Sequence, residues 1–165
     1  MTTPTVSLFD NEREANLTSS VEMIEGALIE LGHVVADSRR AEEGAERSWR
    51  VSKGSAHVDV HLLEGDPLWI LRISAAVMTC DEGVDVAALF RHLLEKNAHE
   101  VTGAAFALEG PVVHLVAERS TLDLDPGEVR QTIERVQNFA DDYDEALVER
   151  FGGRIGAEPE PEPEP

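Results

Sequence analysis

Asn97-Ala98-His99-Glu100, then Gly103-Ala104-Ala105-Phe106-Ala107-Leu108, Val112 to Glu118, and Asp125-Pro126-Gly127-Glu128 running on to Phe151-Gly152-Gly153-Arg154 is the stretch whose reading decides the fold. Gly103 opens a short strand from Ala104 to Leu108. Glu109-Gly110-Pro111 reads as a hairpin turn, and Val112 to Glu118 as the returning strand. Asp125 is a helix N-cap, Pro126 suits the first helical position, and Glu128 completes a capping box. Val129, Ile133, Val136, Ala140, Tyr143, Leu147 and Phe151 then step by three or four residues until Gly152-Gly153 ends the helix. Such a helix has about 26 residues and spans roughly 39 Å.

Upstream of this stretch, Val86, Leu89, Phe90, Leu93 and Leu94 form an apolar helical stripe after the turn Asp81 to Asp85. Three strands precede it. Trp49 and Val51 share one face of the first, and Lys53-Gly54-Ser55 is a hairpin turn. Ala56, Val58, Val60 and Leu62 alternate with His57, Asp59 and His61 in the second, which marks a half-buried strand. The third runs from about Leu68 to Val77 and is apolar on both faces at its start, as a covered or central strand would be. Ser19 and Glu22 make a capping-box signal for the first helix, with Val21, Ile24, Ala27, Leu28 and Leu31 as its stripe and Gly32 as its end. The expected order is α-β-β-β-α-β-β-α: an α+β domain with a five-stranded antiparallel sheet flanked by helices, over residues 17–154. Residues 1–16 are expected to be loose. Residues 155–165, with Glu and Pro alternating from Glu158, form an extended disordered tail.

Composition narrows the functions. At 165 residues the chain is most simply expected to form one domain with a sizeable core. The formal net charge is −19, four units of which sit on Glu158, Glu160, Glu162 and Glu164, leaving −15. Duplex nucleic acid and anionic membranes repel such a chain, so neither is an expected partner. Cys80 is the only cysteine, so no internal disulfide forms, and Asp81 and Glu82 beside it disfavour a thiolate. No apolar run approaches a membrane span and no secretory signal is visible, which gives a cytoplasmic expectation.

The segments Leu94-Glu95-Lys96-Asn97-Ala98, Ala105-Phe106-Ala107-Leu108, Leu122-Asp123-Leu124-Asp125-Pro126 and Ala140-Asp141-Asp142-Tyr143-Asp144, in that order and spacing, resemble the YbjN family. These bacterial proteins, often described as sensory transduction regulators, have a fold similar to type III secretion chaperones. The resemblance is best over residues 84–154. It implies a curved antiparallel sheet, homodimerisation, and protein or peptide binding without catalysis or cofactor.

On that footing the expected function is a non-enzymatic, chaperone-like or regulatory module that holds a protein segment on apolar surface as a homodimer. Ile24, Leu28, Leu68 and Ile70 are the expected partner contacts, and Phe90 and Leu93 the expected dimer seam. A ligand-sensing or structural regulatory domain within a larger complex is the alternative. A third reading takes His57, Asp59 and His61 as the ligands of a metal-dependent enzyme. Residues two apart on a strand stand roughly 6.6 Å apart, a loose fit around an ion that each ligand must approach to about 2.1 Å, so the polar face of an amphipathic strand is preferred. No phosphate loop and no Gly-x-Ser-x-Gly elbow occurs. Trp49 and Trp69 are expected in the core. Tyr143 is expected on the sheet with its hydroxyl on a polar partner.

Overall fold

The computed structural model describes residues 8–53 and 56–156. Its elements run α1 (Leu8–Glu30), α2 (Val35–Ser38), β1 (Arg39–Arg40), β2 (Ala45–Lys53), β3 (Ala56–Leu63), β4 (Ile70–Thr79), α3 (Val86–His99), β5 (Ala105–Glu109), β6 (Val112–Ser120), α4 (Pro126–Phe151) and β7 (Arg154–Ile155). The fold is α+β, with strand order β1-β2-β3-β4-β6-β5 in an antiparallel sheet and β7 paired with β4. The five strands read from the sequence are present, and two two-residue strands, β1 and β7, bring the described sheet to seven. Strands this short carry no periodicity to read. Gly54 and Ser55 of the expected hairpin turn, and residues 157–165 of the expected tail, lie outside the described residues.

The helix expectations fare unequally. The long helix is as read: α4 has 26 residues, and the Asp125 carboxylate accepts the Glu128 amide at 3.0 Å. Asp85 caps α3 in the same way, from Ala88 at 3.0 Å. The first helix is not as read. α1 begins at Leu8, so Ser19 lies mid-helix, and residues 8–16, expected to be loose, are helical, while residues 1–7 lie outside the described residues. Asn11-Glu12-Arg13-Glu14-Ala15 has no apolar period to betray a helix, because polar tertiary contacts hold this part of α1. The Arg13 guanidinium lies 4.4 Å from the centre of the Trp69 ring and donates to Gly65 O at 3.1 Å. The Trp69 indole N–H donates back to Arg13 O at 3.2 Å. The Asn16 side chain donates to Thr121 O at 3.3 Å and accepts from Thr121 Oγ1 at 2.6 Å.

Two compact units emerge. Among the described residues, one comprises 8–51, 59–73 and 118–133, and its core includes Ile24, Leu28, Trp49, Leu62, Leu71, Ile73 and Ile133, all at or below 1% exposure. The other comprises 52–53, 56–58, 74–117 and 134–156, with Val58, Val77, Met78, Leu89, Leu115, Val136 and Leu147 equally buried. The α4 stripe Val129, Ile133, Val136, Ala140 and Leu147 is therefore core. In the second unit, Gly153 adopts φ +85 and an added Cβ would strike the Thr79 carbonyl, which is why a glycine brings β7 onto β4.

Candidate functional site

Along β2 and β3 the residues weighed as alternative metal ligands, His57, Asp59 and His61, are engaged in cross-strand pairs, as on the preferred polar strand face. Ser48 Oγ lies 2.9 Å from His61 Nδ1, Arg50 grips both Asp59 oxygens at 2.6 and 3.1 Å, and Ser52 Oγ lies 2.8 Å from His57 Nδ1. Antiparallel strands bring such side chains face to face. Among the described residues no three His, Cys, Asp or Glu side chains gather into a metal-binding group. Burial, and next the neighbouring Asp81, push the Cys80 thiol above its ordinary pKa, so a thiolate is disfavoured there.

The expected partner contacts divide. Ile24 and Leu28 have no exposed surface, so neither side chain can meet a partner; they are core residues of α1. Core and contact positions share one apolar stripe, and the sequence does not separate them. Leu68 and Ile70 are half-buried. Trp49 is core, and its indole N–H donates to Glu25 at 3.3 Å, whereas Trp69 is only half-buried beneath Arg13.

The first unit carries an open groove of about 440 Å³ between α1 and the β1–β2 hairpin. Val21 and Glu25 lie on the helix side, and Arg39, Arg40 and Arg47 on the hairpin. Glu25 organises it by accepting from Arg39 Nε at 2.9 Å and from Trp49. Arg40 turns back on its own backbone, donating to Asp37 O and Arg39 O, both at 2.8 Å. Its walls are mixed: apolar methyl-bearing side chains with ion-paired rims.

In the second unit, α3 and β5 border a groove of about 290 Å³ lined by Phe90, Leu93, Leu94, Asn97, Phe106 and Leu108, together with Ala107. The dimer-seam expectation shifts here. Leu93 is buried at 6% and Phe90 is half-buried, while Leu94 and Leu108 are 68% and 50% exposed. Asn97 spans the floor: its Oδ1 accepts the Phe106 amide at 2.7 Å and its Nδ2 donates to Phe106 O at 3.2 Å. Tyr143 packs edge-on against Phe106 with ring centres 5.3 Å apart, and its hydroxyl donates to Glu100 Oε2 at 3.1 Å, as expected for this residue. Lys96 reaches the same oxygen at 2.5 Å. That bond is the main reason the Glu100 carboxyl titrates below its ordinary range. Burial, and then the bond to Glu100, raise the Tyr143 hydroxyl. Sequence reasoning missed Leu94, Leu108 and Asn97. The signal for Asn97 was available: an uncapped amide in the last turn of a helix, one tight turn before a strand, needs a backbone partner.

Among the described residues no helix is long and apolar enough to cross a membrane. No curated protein is significantly similar in sequence to this chain. Solved structures share its fold. One is the ExsC–ExsE complex, with TM-score 0.58, 21% identity, and 79% of this chain and 96% of that chain covered. A second is the HopA1–SchA chaperone–effector complex, with TM-score 0.57, 8% identity, and 80% and 97% covered. A third is the Yersinia pestis type III secretion chaperone SycH in complex with a stable fragment of YscM2, with TM-score 0.52, 13% identity, and 73% and 96% covered. At these identities the likeness establishes the fold. The family profile of type III secretion (YopN, CesT) and YbjN peptide-binding chaperones matches residues 19–159, a family of chaperones and not of enzymes. The YbjN resemblance read from the 84–154 segments thus extends over most of the chain, and the chain belongs to this family of peptide-binding chaperones.

Proposed function

We propose that this protein holds a segment of a partner polypeptide without chemical turnover, and that it does so as a homodimer. The observation that carries the homodimer is on its surface. Leu94 and Leu108, large apolar side chains at 68% and 50% exposure, stand on either side of an open apolar groove. Exposed apolar side chains gathered around one depression mark contact sites rather than ordinary surface. The family description, peptide-binding chaperone, supports the holding of a segment. Three solved relatives of the fold were each captured with a second polypeptide, which supports it further.

The two grooves take different occupants in this proposal. The α3–β5 groove receives a second copy of the chain, with Leu94 and Leu108 joining the expected Phe90 and Leu93 at the seam. The groove between α1 and the β1–β2 hairpin, with the half-buried Leu68 and Ile70 elsewhere in the same unit, receives the client. Three of the chain's 14 Lys and Arg residues, Arg39, Arg40 and Arg47, line that groove. Glu25, Glu42 and Glu46 line it as well, so the groove is locally balanced in charge, and a segment approaching this part of a strongly acidic protein is not simply repelled. Light scattering on Leu94→Glu tests the seam: the variant is monomeric while the parent is dimeric. A monomeric parent at micromolar concentration removes the homodimer. Binding to a client, measured against Arg40→Glu, tests the hairpin groove, and unchanged affinity assigns the client elsewhere.

A further inference from the structure

The β5 strand is a sheet edge, last in the strand order, and its run Ala105-Phe106-Ala107-Leu108 contains no charge and no proline. Ala105, Ala107 and Leu108 are exposed. An uncharged, exposed edge strand is a template for pairing with any other extended chain, and proteins ordinarily blunt such an edge with lysine, proline or a bulge. Of such devices β5 carries only the exposed Glu109 at its end. In their place stands the Asn97 side chain. The register sets Ala105 opposite Val116, Phe106 opposite Leu115, Ala107 opposite His114, Leu108 opposite Val113 and Glu109 opposite Val112 on β6. Phe106 turns its amide and carbonyl outward, and both go to the Asn97 carboxamide, at 2.7 and 3.2 Å. A primary carboxamide has the same donor–acceptor spacing as a peptide group, so Asn97 occupies the position that an incoming strand would use. By the alternation of antiparallel pairing, the peptide groups of Leu108 face the same way as those of Phe106. Without Asn97, two consecutive outward rungs would stand open.

We propose that Asn97 closes the β5 edge against strand addition, so that any polypeptide meeting this rim is received by side chains alone. The closure holds whether or not the adjacent groove takes a second copy. It assigns a role to the asparagine in the segment Leu94-Glu95-Lys96-Asn97-Ala98, which neither the helix cap nor the apolar stripe uses.

The test compares the full-length protein with Asn97→Ala and with Asn97→Ala/Leu108→Pro. Salt of about 0.15 M shortens the reach of charge repulsion to roughly 8 Å, so the acidic net charge does not mask association. Proline at 108 removes an outward N–H and leaves the β6 ladder intact, a position at which an edge strand accepts it. Light scattering across a concentration series is expected to show Asn97→Ala forming species above the parent mass that grow with concentration. The double variant loses these larger species and returns to the parent mass or, because Leu108 also stands at the proposed seam, to the monomer. Hydrogen exchange on the unmodified protein provides the second reading: the Phe106 amide is protected about tenfold or more over the Leu108 amide. The proposal is overturned if Asn97→Ala keeps the parent mass at every concentration, or if Leu108→Pro fails to reverse the association. Equal exchange of the Phe106 and Leu108 amides in the parent overturns it as well, and that reading stands even if the variants do not fold.

Discussion

Leu28 and Ile29 are neighbours on α1 with opposite surroundings: Leu28 has no exposed surface, and Ile29 is 64% exposed. Truncating each to alanine separates a core residue from a surface residue. Leu28→Ala removes three carbons, about 2.4 kcal/mol at ~0.8 kcal/mol per buried methylene. The cavity left behind raises the loss to about 3 kcal/mol, within the 2–5 kcal/mol range of such substitutions. For a chain of this length ~1 kcal/mol moves the melting temperature by about 2–4 °C, so Leu28→Ala melts about 6–12 °C below the parent. Ile29→Ala leaves little apolar burial behind and exchanges a β-branched residue for the best helix former, so its stability stays within about 0.5 kcal/mol of the parent or rises slightly. Urea titration with an unchanged m-value confirms that the differences are in stability and not in the compactness of either state. A Leu28→Ala midpoint within 0.5 kcal/mol of the parent refutes the packing described for α1. It would return Leu28 to the surface role that its sequence pattern also allowed.

Three further outcomes follow from local geometry. Asp125→Ala strips the Glu128 amide of its acceptor at the start of α4 and costs about 1 kcal/mol by denaturant titration. Gly153→Ala places a methyl group against the Thr79 carbonyl at φ +85, so the variant loses more than ~1 kcal/mol and the Gly156 amide, which donates to Val77 O at 3.0 Å in the parent, exchanges faster. The lowered Glu100 carboxyl makes the third outcome one of pH. A group whose folded pKa lies below its unfolded value stabilises the fold above the unfolded pKa, here 4.5, and that contribution disappears as pH falls through the lowered folded value. Lys96→Met removes the largest cause of the shift, so the parent and this variant differ in thermal stability at pH 6 and converge in acid. A constant difference down to pH 3 would contradict the assignment.

Much of the fold was legible because its signals are local. Asp125-Pro126-Gly127-Glu128 fixes the start of α4 by cap chemistry that needs no tertiary partner, and Gly152-Gly153 fixes its end. The alternation in β3 and the turn between β5 and β6 are equally self-contained. The first half of α1 was illegible for the opposite reason. It is secured by Arg13 on Trp69 and Asn16 on Thr121, partners 56 and 105 positions away along the chain. The surface sites failed on a third ground. Ile24 and Leu94 both sit on apolar helical stripes, yet one is fully enclosed and the other 68% exposed. A stripe reports that a helix has an apolar side; how far the neighbouring elements cover it is a property of the assembled structure. His57, Asp59 and His61 alternate as ligands might on paper, and the opposing Ser52, Arg50 and Ser48 on β2 turn them into a ladder of polar pairs.

The central claim is that this chain grips another polypeptide, and a photocrosslinking residue at Ala41, on the exposed rim of the hairpin groove, addresses it most directly. The same residue at exposed Glu82 serves as the control. Irradiation in the native cell followed by peptide mass spectrometry is predicted to give adducts from Ala41 that map to one contiguous segment of a client protein and that diminish with Arg40→Glu, with no such segment from Glu82. Adducts scattered alike from both positions, or none from Ala41, would contradict the account.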